Sequence, residues 1–386
     1  RILILLLCAL PAWLSAQSYI TIKDAPPKVR DGYHEAYKHI AAQDFGRGIK
    51  EMEKLVKKYP TFVNGYLVLG DSYRQTGELD KAIANFQKAA DLAPDYDVRV
   101  FMALGQLQLE AGKYDAAKDN LDKFLRMPNT KADQVVRAKK MREDAEFRPK
   151  ALANPVPFVL ENLGEGVNTT LREYFPSVTV AEDIIVYTVQ TGNDMVHAQE
   201  DLYYAVKDPE TGKWGKGMPM INVNTEENEG AQAISADGKL LVFTACNRPG
   251  DYGSCDLYFS QRLSKGEWSK PKNIGAPINT REWESQPTVA PNADAIYFAR
   301  GSREGHKDLY VSYRKADGSW EKPEPLAELN TPFNETSPCI HPDGQTLYFA
   351  SDGYAGMGSF DLYMSRKGAD GKFQKPVNLG YPLNTE

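Results

Sequence analysis

The tripeptide Asp-Leu-Tyr occurs four times in the second half of this chain, starting at Asp201, Asp256, Asp308 and Asp361, at intervals of 55, 52 and 53 residues. An Asn-Thr pair keeps the same period, at Asn224, Asn279, Asn330 and Asn384. Two unrelated markers holding one period restrict the region to copies of a single supersecondary unit, each burying its apolar face on its neighbours.

Within each period the hydrophobic pattern alternates every second residue, with turn signals between short runs. In the fourth period the first run is SPCIHP, ending at the turn Asp343-Gly344, and the second is QTLYFAS. The Gly-rich loop DGYAGMGS leads to FDLYMSR, and FQKPVNL follows GADGK. Four antiparallel strands in about fifty residues make one propeller blade. The region resembles the TolB-type, WD40-like propeller repeat. That resemblance implies that the Asp of each Asp-Leu-Tyr bonds amides of the preceding loop, and that Leu and Tyr pack between blades. Residues 157–169, PFVLENLGEGVNT, parallel a fourth-strand ending. They read as an outer strand completing a last blade, so at least five blades are expected.

A shorter period governs the first half. From Val63, residues Gly70, Tyr73, Gly77, Ala82, Phe86, Ala89 and Pro94 stand at the offsets of a helix pair whose small residues allow close approach. Gly77 marks the turn and Pro94 ends the second helix. The next copy starts at Val98, with Gly105, Gly112, Ala117 and Leu121 in matching places. A weaker copy carries Ala36 and Met52 and ends at Pro60. These offsets resemble the tetratricopeptide repeat. They predict an all-α array over residues 31–146, capped by a helix carrying Val135, Val136, Ala138 and Met141. Such arrays present a concave surface to peptides or partner proteins. Residues 147–156, rich in proline, read as a linker, and residues 157–386 as the all-β propeller.

Composition narrows the function. The net charge is −6, with no basic cluster of the kind nucleic-acid binding needs. Residues 1–16 end in Leu14-Ser15-Ala16 after an apolar run, the pattern of a cleaved signal peptide. Lipidation at Cys8 is the competing reading, disfavoured because Leu7 is not small. Export permits a disulfide. Cys246 and Cys255 flank the turn-rich NRPGDYGS and are expected to pair at the base of a hairpin. Cys339 is expected to be a small buried apolar residue.

No catalytic, cofactor or metal site is expected. There is no G-x-S-x-G elbow, no CxxC, and the Gly-rich loop at 353–358 precedes no helix, as a phosphate cradle requires. Glu173, Glu229, Glu284 and Glu335 recur once per blade. They read as structural rather than as the paired carboxylates of a glycosidase. A signal peptide, tetratricopeptide repeats and a TolB-type propeller in this order resemble a family of envelope proteins of Bacteroidetes-type bacteria that continue into an OmpA-like domain. Some of its members serve type IX secretion. The resemblance implies a periplasmic, outer-membrane-associated scaffold whose partners are envelope or secretion-system proteins and, through the OmpA-like domain, peptidoglycan. The rival expectation is a propeller-containing glycosidase or peptidase.

Overall fold

A computed structural model describes residues 19–192, 198–264, 266–302 and 305–386. The expected signal peptide and Cys8 lie outside the described residues. The chain divides into two compact units at Pro149 and Lys150.

The first unit is all helical: α1 (Pro27–Ala41), α2 (Phe45–Lys58), α3 (Val63–Gln75), α4 (Leu79–Leu92), α5 (Arg99–Glu110), α6 (Tyr114–Arg126) and α7 (Ala132–Ala153). Successive helices pair because the sequence puts a small residue opposite a large one. A Cβ on Gly70 would lie 2.7 Å from the Phe86 ring, and one on Gly105 would collide with Leu121. Gly77 and Gly112 close their helices at φ +78° and +67°, a region glycine enters without steric cost. Tyr73, Ala82, Phe86 and Ala89 are buried in one core with Ala36, Met52, Leu104, Leu121 and Phe124. Pro94 follows the end of α4.

The segment read as a linker is corrected at its start. Helix α7 runs through Pro149 to Ala153. Ala145 on this helix packs with Leu109 and Ala117. A proline inside a helix removes one hydrogen bond, and packing of the flanking turns can hold the helix through it.

Ahead of α1, residues 19–25 form a strap. Ile20 makes a parallel bridge to Phe62. Its N–H donates to the Thr61 carbonyl at 2.8 Å, and its own carbonyl accepts from the Val63 N–H at 3.0 Å.

The second unit consists of four-stranded antiparallel meanders, the second and third of them joined by one parallel pair, Cys255 with Trp283. The first is β1 (Arg172–Val178), β2 (Ile184–Thr191), β3 (Gln199–Val206) and β4 (Met218–Pro219). The second is β5 (Asn228–Ile234), β6 (Leu240–Cys246), β7 (Cys255–Gln261) and β8 (Lys272–Asn273). Next come β9 (Trp283–Val289), β10 (Ala295–Gly301), β11 (Lys307–Tyr313) and β12 (Glu324–Pro325). The fourth blade is β13 (Glu335–Ile340), β14 (Thr346–Ser351), β15 (Asp361–Arg366) and β16 (Val377–Asn378). Aromatic residues seal successive blades. Trp268 and Tyr204 pack against the cluster between the first and second, Trp320 and Phe259 against that between the second and third, and Phe373 meets Tyr297 between the third and fourth.

Three expectations are corrected here. Residues 157–169 form no strand. Val167 is drawn into the first blade beside Ile185 and Tyr187, while Phe158, Val159 and Leu160 stay exposed, so no ladder neighbour meets them. Cys339 is exposed, because the period-two alternation of β13 places it on the uncovered face. The marker leucines also differ: Leu202, Leu257 and Leu309 are fully covered, whereas Leu362 in the fourth blade is 40% exposed.

Candidate functional site

The recurring Asn-Thr pair is a two-way staple. Asn279 lies in a connection with no strand of its own, yet its amide copies a strand's hydrogen bonding. Its Oδ1 accepts from the Leu257 N–H at 2.9 Å, and its Nδ2 donates to the Leu257 carbonyl at 2.9 Å. Asn224 does the same for Leu202, Asn330 for Leu309 and Asn384 for Leu362. The neighbouring Thr looks forward. Thr280 donates its N–H and hydroxyl to Glu284 on the next inner strand, at 3.0 and 2.6 Å. Thr169 with Glu173, Thr225 with Glu229 and Thr331 with Glu335 repeat the bond. One dipeptide therefore completes one blade and anchors the next.

The four glutamates stand at the start of each inner strand. Glu229, Glu284 and Glu335 are fully buried. A buried carboxylate must be paired or hydrogen-bonded, and the blades solve this in two ways. Arg248 reaches Glu229 at 2.7 Å and also donates to the Val223 carbonyl. Arg300 reaches Glu284 at 2.8 Å and donates to the Ile278 carbonyl. Their guanidinium groups lie over Tyr258 and Tyr310, at 4.8 and 4.7 Å from the ring centres. In the fourth blade no arginine is described at the glutamate. Ser351 donates to Glu335 at 2.6 Å, and Tyr354 donates to the Leu329 carbonyl, the place the arginines reach elsewhere. Burial, against the Ser351 and Thr331 bonds, leaves the Glu335 carboxyl raised above its usual range. These carboxylates are held by their own blades.

The Asp of Asp-Leu-Tyr ties down the loop before it where that loop is described. Asp256 accepts from the Tyr252 and Gly253 amides at 2.9 and 3.1 Å, and Asp361 from Met357 and Gly358 at 2.6 and 3.0 Å. Asn273 and Asn378 donate to these two carboxylates from the outer strands. Burial raises the Asp201 and Asp308 carboxyls; the loops before them include residues outside the described set. A disulfide joins Cys246 to Cys255 across the β6–β7 pair.

Each inner strand also bulges two residues after its glutamate. Phe175, Ala231, Gln286 and Ser337 all have positive φ, between 46° and 56°, and the ladder register shifts at each. A non-glycine residue there is strained. The freed groups bond across blades. The Ala231 N–H donates to Thr188, the Ser337 N–H donates to Gln286, and Gln232 donates to the Phe175 carbonyl.

Between the second and third blades lies a cleft of about 620 Å³, lined by Leu240, Val242, Phe259, Ile296 and Trp320. In the third blade Tyr297 replaces Val242 and meets Phe373 edge-on at 6.2 Å. Among the described residues, no group of three or more His, Cys, Asp or Glu is placed to hold a metal ion. No described helix is long and apolar enough to cross a membrane.

In the helical unit, the first helix of each pair carries side chains that the helix packing leaves over. Tyr37 is 47% exposed and stacks on Tyr33 at 5.8 Å. Asp71, Arg74, Arg99 and Gln106 are exposed on α3 and α5. At the head of α3, Asn64 accepts from the strap's Ile22 N–H at 2.8 Å and shares a hydrogen bond with the Tyr96 hydroxyl at 3.0 Å. Tyr19 meets Tyr96 edge-on at 6.3 Å.

Sequence reasoning missed the two arginines, Tyr354 and the strap. Arg248 and Arg300 share one offset, eight residues before Asp256 and Asp308, but in two blades only, and Tyr354 stands in one blade alone, so a search for markers common to every blade passes over them. The strap carried one signal, the strand-forming run Tyr19-Ile20-Thr21-Ile22.

Residues 63–129 match the tetratricopeptide repeat family. Among solved structures, TolB from Acinetobacter baumannii aligns at 15% identity and a TM-score of 0.36, over 54% of this chain and 43% of that one. The chain thus spans under half the length of that protein. The Yersinia enterocolitica type III secretion chaperone SycD, solved with a peptide of the translocator YopD, aligns at 16% identity and 0.30, over 32% of this chain and 97% of its own. MamA aligns at 21% identity and 0.29, over 34% and 73%. At such scores the likeness adds nothing to the geometry already described. No curated protein sequence matches the chain.

Proposed function

We propose that this chain is a non-enzymatic protein-interaction scaffold, exported and working at the outer membrane from the periplasmic side. In this reading it links envelope or secretion machinery to the cell wall, with peptidoglycan engaged through an OmpA-like domain. The observation that carries the non-enzymatic reading is the bonding of the recurring carboxylates. Glu229 and Glu284 are each closed off by a threonine and an arginine of the propeller itself. A general acid or base needs an oxygen free to meet substrate. The helical unit supports the binding role, since Tyr37, Arg74 and Gln106 stay available after the core is filled. Two binding surfaces on one chain raise the effective concentration of the second partner.

The test is site-specific photo-crosslinking from position 37 and position 106 in intact cells. Discrete adducts with envelope proteins are expected from both. Their absence from both positions, with the protein present in the envelope fraction, overturns the scaffold reading. Recovery of the protein in the cytoplasmic fraction overturns the localisation.

A further inference from the structure

The strap is held the way a bound peptide is held. Around Ile20, ahead of a turn at residues 22–24, it runs parallel to the chain at residues 61–63 and adds to it through two main-chain hydrogen bonds, from the Ile20 N–H to Thr61 and from the Val63 N–H to Ile20. A third main-chain group, the Ile22 N–H, is read by the Asn64 side chain. None of these three bonds depends on the strap's own side chains. Tyr19, Ile20 and Ile22 are only partly buried, and pack against a helical core that closes beneath them through Phe62 and Val63. Helical capping, by contrast, is done by α7 at the other end of the array.

We propose that the cleft formed by residues 61–64 and Tyr96 is a strand-addition site for extended polypeptide, and that the strap is its resident, displaceable ligand. The incoming segment is an extended stretch of a partner polypeptide with large apolar residues at alternate positions, matching Ile20 and Ile22 and led by an aromatic residue against Tyr96. Main-chain bonds supply affinity in such a mode, and side-chain pockets supply selectivity. The strap's occupancy lowers the apparent affinity by the fraction of time the cleft is closed. This inference rests on the scaffold reading and names the kind of partner its helical unit takes.

The probe is a fluorescein-labelled peptide of the strap's own sequence, residues 18–25, added to the full chain. The double variant Ile20→Asp, Ile22→Pro ejects the strap and leaves the cleft intact. Fluorescence anisotropy is expected to show binding to this variant at least tenfold tighter than to the unaltered chain, and loss of that gain when Asn64→Ala is added. Equal binding to both chains, or binding to neither while circular dichroism shows the helices intact, overturns the proposal. A second measurement covers failure of the variant to fold. In the unaltered chain, the Ile20, Ile22 and Val63 amides are expected to exchange with deuterium at least a hundredfold faster than core amides of α3 and α4. Exchange at the core rate shows a fixed structural piece and overturns the proposal. Either negative result leaves the crosslinks from positions 37 and 106 untouched, so failure of the strap site is distinguishable from failure of the scaffold reading.

Discussion

The two units solve the same problem, fitting the elements of a repeat together, with different chemistry. In the helical unit the joints are made by shape. Gly70 admits Phe86 and Gly105 admits Leu121, and the residues that identify the repeat are those filling space. In the propeller the joints are made by direction. Asn279 bonds Leu257, Thr280 bonds Glu284, and Arg300 closes the carboxylate, all through oriented polar groups. A helix satisfies its own backbone, so its repeats need only complementary surfaces. A blade has open edges and connecting chain whose amides must find partners. Its repeat is therefore written in Asn, Thr, Glu and Asp.

Substitutions can break or sharpen this contrast. The largest effect is expected from Phe86→Ala, a cavity in the helical core that should cost about 4 kcal/mol, measured by urea denaturation of the helical transition. An effect below about 1 kcal/mol would mean that shape does not hold the array. Glu284→Gln leaves Arg300 facing a neutral group in a site where the carboxylate is fully buried. A loss of about 3 kcal/mol is expected, and calorimetry should place it in the β-rich transition. Asn279→Ala removes both bonds to Leu257 and should cost about 2 kcal/mol, whereas Asn154→Ala, an exposed bond within one helix end, should cost under about 1 kcal/mol. Equal losses at the two sites would dissolve the distinction.

A change in the opposite direction is expected at the bulge. Ala231 holds φ +46° with no polar side-chain role. Ala231→Gly should stabilise the second blade by about 0.5–1 kcal/mol, because glycine adopts that conformation without strain. Gln286→Gly should not, since its side chain accepts from Ser337.

The smallest effect concerns acid. Asp343 accepts from the Gln345 and Thr346 amides and the Thr346 hydroxyl in the first hairpin of the fourth blade, and the Gln345 amide first among these holds its carboxyl well below the usual range. A depressed folded-state value adds stability above the unfolded value of about 3.9. That contribution disappears as pH falls through the folded value. The melting difference between Asp343→Asn and the unaltered chain should shrink below about pH 4. A difference that grows on acidification would reverse the assignment.

The contrast also explains what could be read from the sequence. Space-filling offsets are local, so Gly70, Tyr73, Ala82 and Phe86 identified a helix pair outright. The blade markers revealed their period but only part of their work. Nothing in the sequence says that Asn279 bonds a leucine twenty-two positions earlier, because that contact belongs to the folded sheet. The glutamates could be read as structural from recurrence alone. Their partners Arg248, Arg300 and Tyr354 could not, since the arginine recurs in two blades only and the fourth blade meets the same need with Ser351 and Tyr354. Pro149 misled for a related reason: composition reports a proline's local cost, not the packing of Ala145 that carries α7 past it.

Because Asn and Thr are adjacent in the chain but serve successive sheets, mechanical load should pass through the propeller in steps. Pulling on one end strains a threonine–glutamate bond together with the asparagine beside it, so a sheet yields as a whole and the next holds. Each step would release about fifty residues, or roughly 170 Å of extended chain, giving a sawtooth extension.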